Sequence, residues 1–136
     1  MKTLEFPAIQ SRGFRNVMDR GKVTGFQVPF RLDYYRGVWL SQLRPATVTV
    51  DGKKYEGSDI TWKIDGVTYE QDELADHPDV NWGLLEPAIL TVKKPGGLEP
   101  GFHDVEVFSQ YSASYLPPRL DLGFGGATRR RMVLVR

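Results

Sequence analysis

The sequence predicts an all-β fold: a single-domain antiparallel β-sandwich or barrel-like structure with at most one short helix. Two observations lead there. Large apolar residues alternate with polar ones along stretch after stretch of the chain, which is the period of a half-buried strand. Turn chemistry separates those stretches, with Asp51-Gly52, Asp65-Gly66, Pro95-Gly96-Gly97 and Pro117-Pro118 at short intervals. A length of 136 residues fits one domain over residues 1–136. Within it, residues 1–10 read as an N-terminal arm and 117–128 as a Gly-rich loop before the final strand. No internal repeat, coiled coil or low-complexity tract interrupts the pattern.

The first clear strand runs through Phe26, Val28, Phe30, Leu32 and Tyr34, with Gln27, Pro29, Arg31 and Asp33 between them. Pro29 has no N–H to give to a ladder, so this strand is expected at an edge or bulged there. Val48 and Val50 alternate with Thr47 and Thr49 before Asp51-Gly52 turns the chain into Lys53-Lys54-Tyr55. A second hairpin follows, with Ile60, Trp62 and Ile64 leading to Asp65-Gly66 and then Val67 and Tyr69. Asp-Gly suits a two-residue type I′ turn, in which both central residues take positive φ. That register sets Trp62 opposite Tyr69 and Ile64 opposite Val67. Residues 70–77 suggest one or two helical turns ended by Pro78. Ala88 to Val92 reads as a strand, and Val105, Val107, Tyr111, Ala113 and Tyr115 define a long one stopped by Pro117. Met132 to Val135 is apolar on both parities and is expected to be a central strand covered on both faces.

Composition narrows the function. The N-terminal residues lack the apolar core of a signal peptide, and no apolar run is long enough to span a bilayer, so a cytoplasmic protein is expected. With no cysteine and two histidines, disulfides, thiolate sites and histidine-rich metal sites are excluded. No catalytic residue and no metal ligand can be assigned. The net charge of +1 is unevenly spread, at +5 over residues 1–50, −8 over 51–106 and +4 over 107–136. If the two ends pair in the fold, they build an arginine-rich face opposite an acidic one. Arg129-Arg130-Arg131 is too short a run, at a pI of about 8.0, for a nucleic-acid binder, and alternation divides it between two faces.

Several clusters have a structural explanation beside a functional one. Trp39, Trp62 and Trp82 could form a sugar-stacking platform, although aromatics alternating on strands more often fill a core. Glu70, Asp72, Glu73, Asp76 and Asp79 lack the ordered spacing of a calcium loop and read as a solvated face. His103, between Phe102 and Asp104, reads as a hydrogen-bonded structural histidine. The segment Tyr34, Tyr35, Arg36, Gly37, Val38 and Trp39 stands apart. Neighbouring strand residues face opposite sides, so at least one of the two tyrosines points outward beside the arginine, and exposed Tyr, Trp and Arg dominate binding hot spots. It is the candidate contact surface. Gly123, Phe124, Gly125 and Gly126 are the candidate mobile loop.

Taken in order, Arg12-Gly13-Phe14-Arg15-Asn16, Gly25-Phe26-Gln27, Tyr34-Tyr35-Arg36-Gly37-Val38, Val48-Thr49-Val50-Asp51-Gly52 and Lys94-Pro95-Gly96-Gly97-Leu98, followed by His103, give the chain a recognisable pattern. Over residues 12–117 it resembles the small β subunit of bacterial C-glycoside deglycosidases. That resemblance implies a β-sandwich-like subunit, inactive alone, assembled in a heteromer of higher order with a larger barrel-type α subunit. It further implies a carbon–carbon lyase complex that separates a sugar, in its 3-oxo form, from a C-linked aromatic aglycone such as a flavonoid. A divalent, manganese-like metal is then expected in the α subunit, and no cofactor on this chain. The residue patterns also leave open a stand-alone carbohydrate-binding module or a self-assembling β-module.

Overall fold

The computed structural model describes residues 4–32, 37–112 and 124–135. In chain order the strands are β1 (Arg15–Asp19), β2 (Lys22–Phe30), β3 (Val38–Trp39), β4 (Thr47–Val50), β5 (Lys53–Tyr55), β6 (Ile60–Ile64), β7 (Val67–Glu70), β8 (Asn81–Trp82), β9 (Ala88–Lys93), β10 (Gly101–Tyr111) and β11 (Phe124–Leu134). They form a five-stranded sheet in the order β1-β2-β9-β6-β7, a four-stranded sheet β11-β10-β4-β5 and a two-stranded sheet β3-β8. Every pairing is antiparallel. Among the described residues the helical segments are short 3₁₀ turns, the longest being Gln71–Asp76 before Pro78. The all-β sandwich reading is correct.

Local chemistry explains the hairpins. Asp51 and Asp65 both take φ of 51°, followed by Gly52 and Gly66 at 87° and 82°. Trp62 pairs with Tyr69 and Ile64 with Val67, the register that a two-residue turn imposes. The inner residues of the two large sheets meet in one core. Phe26 on β2 packs edge-on against Tyr55 on β5 at 5.5 Å, and Trp62 against Trp82 at 5.7 Å. Buried Gln71 fastens this core: its Oε1 accepts from Ala46 N–H and Trp62 Nε1–H, and its Nε2 donates to the carbonyls of Ala46 and Gly57. A buried amide must find such partners, because an unmet polar group costs more than a met one contributes.

Three local expectations change. β2 is not an edge strand; it lies between β1 and β9. The β1 ladder stops at Gln27, and Pro29 faces the arm instead, where its carbonyl accepts from Gln10 N–H and Ile9 bridges to Phe30. Proline is tolerated because the regular ladder has ended on that side. β11 is an edge strand and not a covered central one. Met132 and Leu134 point into the core, while Val133 stays 51% exposed. Last, the segment expected as loop through residue 128 is strand from Phe124 onward, so Phe124, Gly125 and Gly126 belong to β11. Gly125 is required there: a Cβ would lie 2.3 Å from the Ser109 carbonyl oxygen at a φ of 101°. Gly123 falls outside the described residues.

The arm is fastened down. Glu5 accepts from Ser11 and from the Arg12 N–H, and it pairs with Arg130 at 2.8 Å, while Arg130 also donates to the Ile9 carbonyl. Partial burial disfavours the Glu5 carboxylate, yet these donors outweigh it and lower its pKa to about 2.

Candidate functional site

Of the candidate contact segment, Tyr34, Tyr35 and Arg36 lie outside the described residues. Gly37 is half-buried, with the carbonyl of Trp82 and the side chain of Asn81 so close that a Cβ would come within 2.9 Å of the one and 2.5 Å of the other. Val38 is buried in this chain's own core and offers a partner no surface. Trp39 is 43% exposed. Its strand pairs Val38 with Trp82 and Trp39 with Asn81, and its N–H is held by Gln42 Oε1 at 2.8 Å. Gln42 in turn donates to the Ser112 carbonyl, tying the segment to the end of β10.

β8 leads directly into a loop carrying exposed Leu84 and Leu85, whose shape is held by a 2.6 Å bond from Trp82 Nε1–H to the Glu86 carbonyl. That loop enters β9 at Ala88, which pairs with Phe30 at the end of β2. Exposed Phe6, stacked near Arg31, belongs to the arm that bridges to the same end of β2. The pairing of β3 with β8, of Ala88 with Phe30 and of Ile9 with Phe30 thus brings the elements that carry exposed Trp39, Leu84, Leu85 and Phe6 toward one end of the sandwich. Exposed apolar groups gathered in this way mark a contact site more reliably than single ones do.

The arginine run splits as alternation requires. Arg130 turns toward the arm, while Arg129 and Arg131 stand on the outer face of the four-stranded sheet. Arg129 pairs with Glu106 at 2.6 Å, and Arg131 lies over the Phe102 ring at 5.3 Å. Asp104 sits opposite Arg131 in the ladder. The expected arginine face is thus interleaved with acids, which removes the net positive field a nucleic acid needs.

Polar chemistry elsewhere is committed to structure. His103 Nδ1 lies 2.6 Å from Asp51 Oδ2, and its Nε2 lies 2.6 Å from the Glu99 carbonyl. Partial burial disfavours the imidazolium, but the Glu99 carbonyl and the Asp51 carboxylate outweigh it and raise the pKa above 6.5. The His103 hydrogen bond, joined by the Asp104 N–H, lowers the Asp51 pKa. A ring donating from both nitrogens has no lone pair left for base catalysis. Its work is to tie the β4–β5 turn to the start of β10. Trp62 and Trp82 are fully buried, so they cannot form a sugar platform with Trp39. Among the described residues no group of three His, Cys, Asp or Glu side chains converges as metal ligands do, and no helix is long and apolar enough to cross a membrane.

Comparison with known proteins supplies what the geometry alone cannot. Residues 4–115 match the family described as CGDB, C-glycoside deglycosidase beta subunit. A C-glycoside deglycosidase beta subunit from Eubacterium cellulosolvens is 46% identical over 121 residues, covering 88% of this chain and 82% of that protein. Another, from Arthrobacter globiformis, is 26% identical over 113 residues, covering 81% and 86%.

Proposed function

The chain belongs to the C-glycoside deglycosidase beta subunit family, and from that premise we propose that it is the small, non-catalytic subunit of a cytoplasmic carbon–carbon lyase. Its partner in this reading is a larger barrel-type α subunit that holds a manganese-like divalent cation. The complex takes an aromatic C-glucoside already oxidised to its 3-oxo form. Removal of the acidic C2 proton beside the ketone gives an enolate. Its electron pair then forms a C1–C2 double bond as the bond from C1 to the aglycone carbon breaks, and that carbon keeps the bonding pair and takes up a proton. The cation would supply Lewis-acid stabilisation of the enolate oxygen.

The observation that carries the reading is the end of the sandwich around Trp39. A β-domain with its own complete core has no folding reason to leave Trp39, Leu84 and Leu85 in solvent. Aromatic and aliphatic groups exposed together are what a subunit contact desolvates. We place the α subunit against this end, and Tyr34, Tyr35 and Arg36, which precede Trp39 in the sequence, remain candidates for the same contact. Obligate contacts of this kind bury about 2,000 Å² or more.

The test is co-expression of the chain with the neighbouring reading frame, purification through a tag on this chain, and assay on a 3-oxo-C-glucoside with added manganese. The reading expects a stoichiometric barrel-sized partner and release of aglycone by the complex alone. A chain that elutes alone and monodisperse, with no activity recovered on adding the partner, contradicts it.

A further inference from the structure

The outer face of β10 and β11 is ordered in rows. Phe102 lies opposite Val133, Asp104 opposite Arg131, Glu106 opposite Arg129 and Phe108 opposite Ala127. Each of the two central rows thus holds one acid and one arginine, and apolar rows flank them. Phe102 is 68% exposed and Phe108 38%. We propose that this face joins two copies of the chain, stacked sheet on sheet about a two-fold axis that runs parallel to the strands between β10 and β11.

The charge pattern selects that axis. Rotation about it lays β10 of one copy over β11 of the other, so every residue meets the type it already faces across the ladder. Asp104 meets Arg131, Glu106 meets Arg129, and Phe102 meets Val133, each twice by symmetry, as an isologous interface requires. An in-plane axis perpendicular to the strands does the reverse. It sets Asp104 against Glu106 and Arg131 against Arg129, and like charges in close contact are costly. Pairing along the free edge of β11 fails for the same reason, because the arginine run at its centre would face itself.

The side chains are prepared for the stack. Glu106 already holds Arg129, and Phe102 supports Arg131. A guanidinium has five donors, so each can take a second carboxylate while keeping its first contact. Stacked sheets lie about 10 Å apart and cross at about 30°. The central charged rows remain in register under such a crossing. The outer face of the five-stranded sheet, with Gln27, Thr61 and Thr91 aligned across β2, β6 and β9, has no comparable pattern.

This inference does not depend on the α-subunit reading. Sedimentation equilibrium of the full chain alone tests it, using the wild type, Asp104→Arg, Arg131→Asp and an equimolar mixture of those two variants. The wild type is expected at twice the chain mass and each variant at the chain mass. The mixture is expected to return to twice the chain mass, because the arginine introduced in one copy then meets the aspartate introduced in the other. The double variant D104R/R131D, which keeps opposite charges facing, must dimerise like the wild type even if a single variant folds poorly. A wild type at the chain mass overturns the proposal, and so does a mixture or double variant that stays single. An Asp104→Arg protein that dimerises more tightly than the wild type rules out the chosen axis. If the face instead receives the α subunit, the wild type stays single and both variants lose that partner whether or not they are mixed.

Discussion

The two large sheets turn the same kinds of residue inward and quite different ones outward. Inside, Phe26, Trp62 and Leu90 of one sheet share a core with Val48, Val107 and Met132 of the other. Outside, the five-stranded sheet shows Gln27, Thr61, Lys63 and Thr91, with Lys93 and Glu70 3.9 Å apart. The four-stranded sheet shows Phe102, Phe108 and Val133 around two acid–arginine rows. Folding requires the inner faces; the first outer face is mainly polar, with Ile89 half-buried beside Lys63, and Met18 is exposed on β1. The second outer face and the Trp39 end carry exposed apolar groups, and they are where we propose that assembly takes place.

The largest expected effect lies in the shared core. Gln71→Leu strands the Ala46 N–H and carbonyl and the Trp62 indole N–H in the core, and should cost at least about 2 kcal/mol of stability. A urea midpoint near that of the wild type would mean that these groups have other partners. Trp39→Ala comes next. It should weaken α-subunit binding by about 2 kcal/mol, measured by titration calorimetry, and leave the melting of the isolated chain nearly unchanged. Equal affinity for the variant would move the contact elsewhere.

The third effect is pH-dependent. The His103 pKa is raised above 6.5, so its contribution is full below 6.5 and is lost as pH rises through the folded value. The Asp51 pKa is lowered below 3.8, so its contribution is full above 3.8 and is lost as pH falls through its folded value. The pair stabilises most between these limits. His103→Gln should flatten the alkaline limb of a stability profile, and an unchanged slope there would deny the link. The smallest effect belongs to the polar face. Lys93→Ala loses an exposed ion pair, worth under about 1 kcal/mol, and should change neither denaturation nor assembly.

The parts of this architecture legible in sequence are those set by local chemistry. Asp51-Gly52 and Asp65-Gly66 dictated their turns, and the turns dictated register down to the Trp62–Tyr69 pair. Arg20-Gly21 makes a similar positive-φ turn between β1 and β2, yet Arg-Gly is a weak turn signal, and the short, polar β1 gives no alternation to find. Pro29 did mark the end of the ladder with β1, but what lies beside it is the arm, joined by the single Ile9–Phe30 bridge, a neighbour that local pattern does not reveal. Met132–Val135 misled for a more useful reason. An apolar residue on both parities fits a covered strand or an edge strand with an exposed apolar outer face, as at Val133, and sequence reads the two alike. The exposure of Trp39 beside buried Val38 was equally hidden, since strand parity alone does not say which side a two-residue strand turns to solvent.

The partner subunit is proposed to dock at the end around Trp39. Hydrogen–deuterium exchange of the chain alone and in the co-purified complex tests it most directly. The account predicts added protection across residues 37–42 and 83–87 in the complex, with peptides from β6 and β7 exchanging as before. Protection concentrated on β6, β7 and β9, with residues 37–42 and 83–87 unchanged, would contradict it.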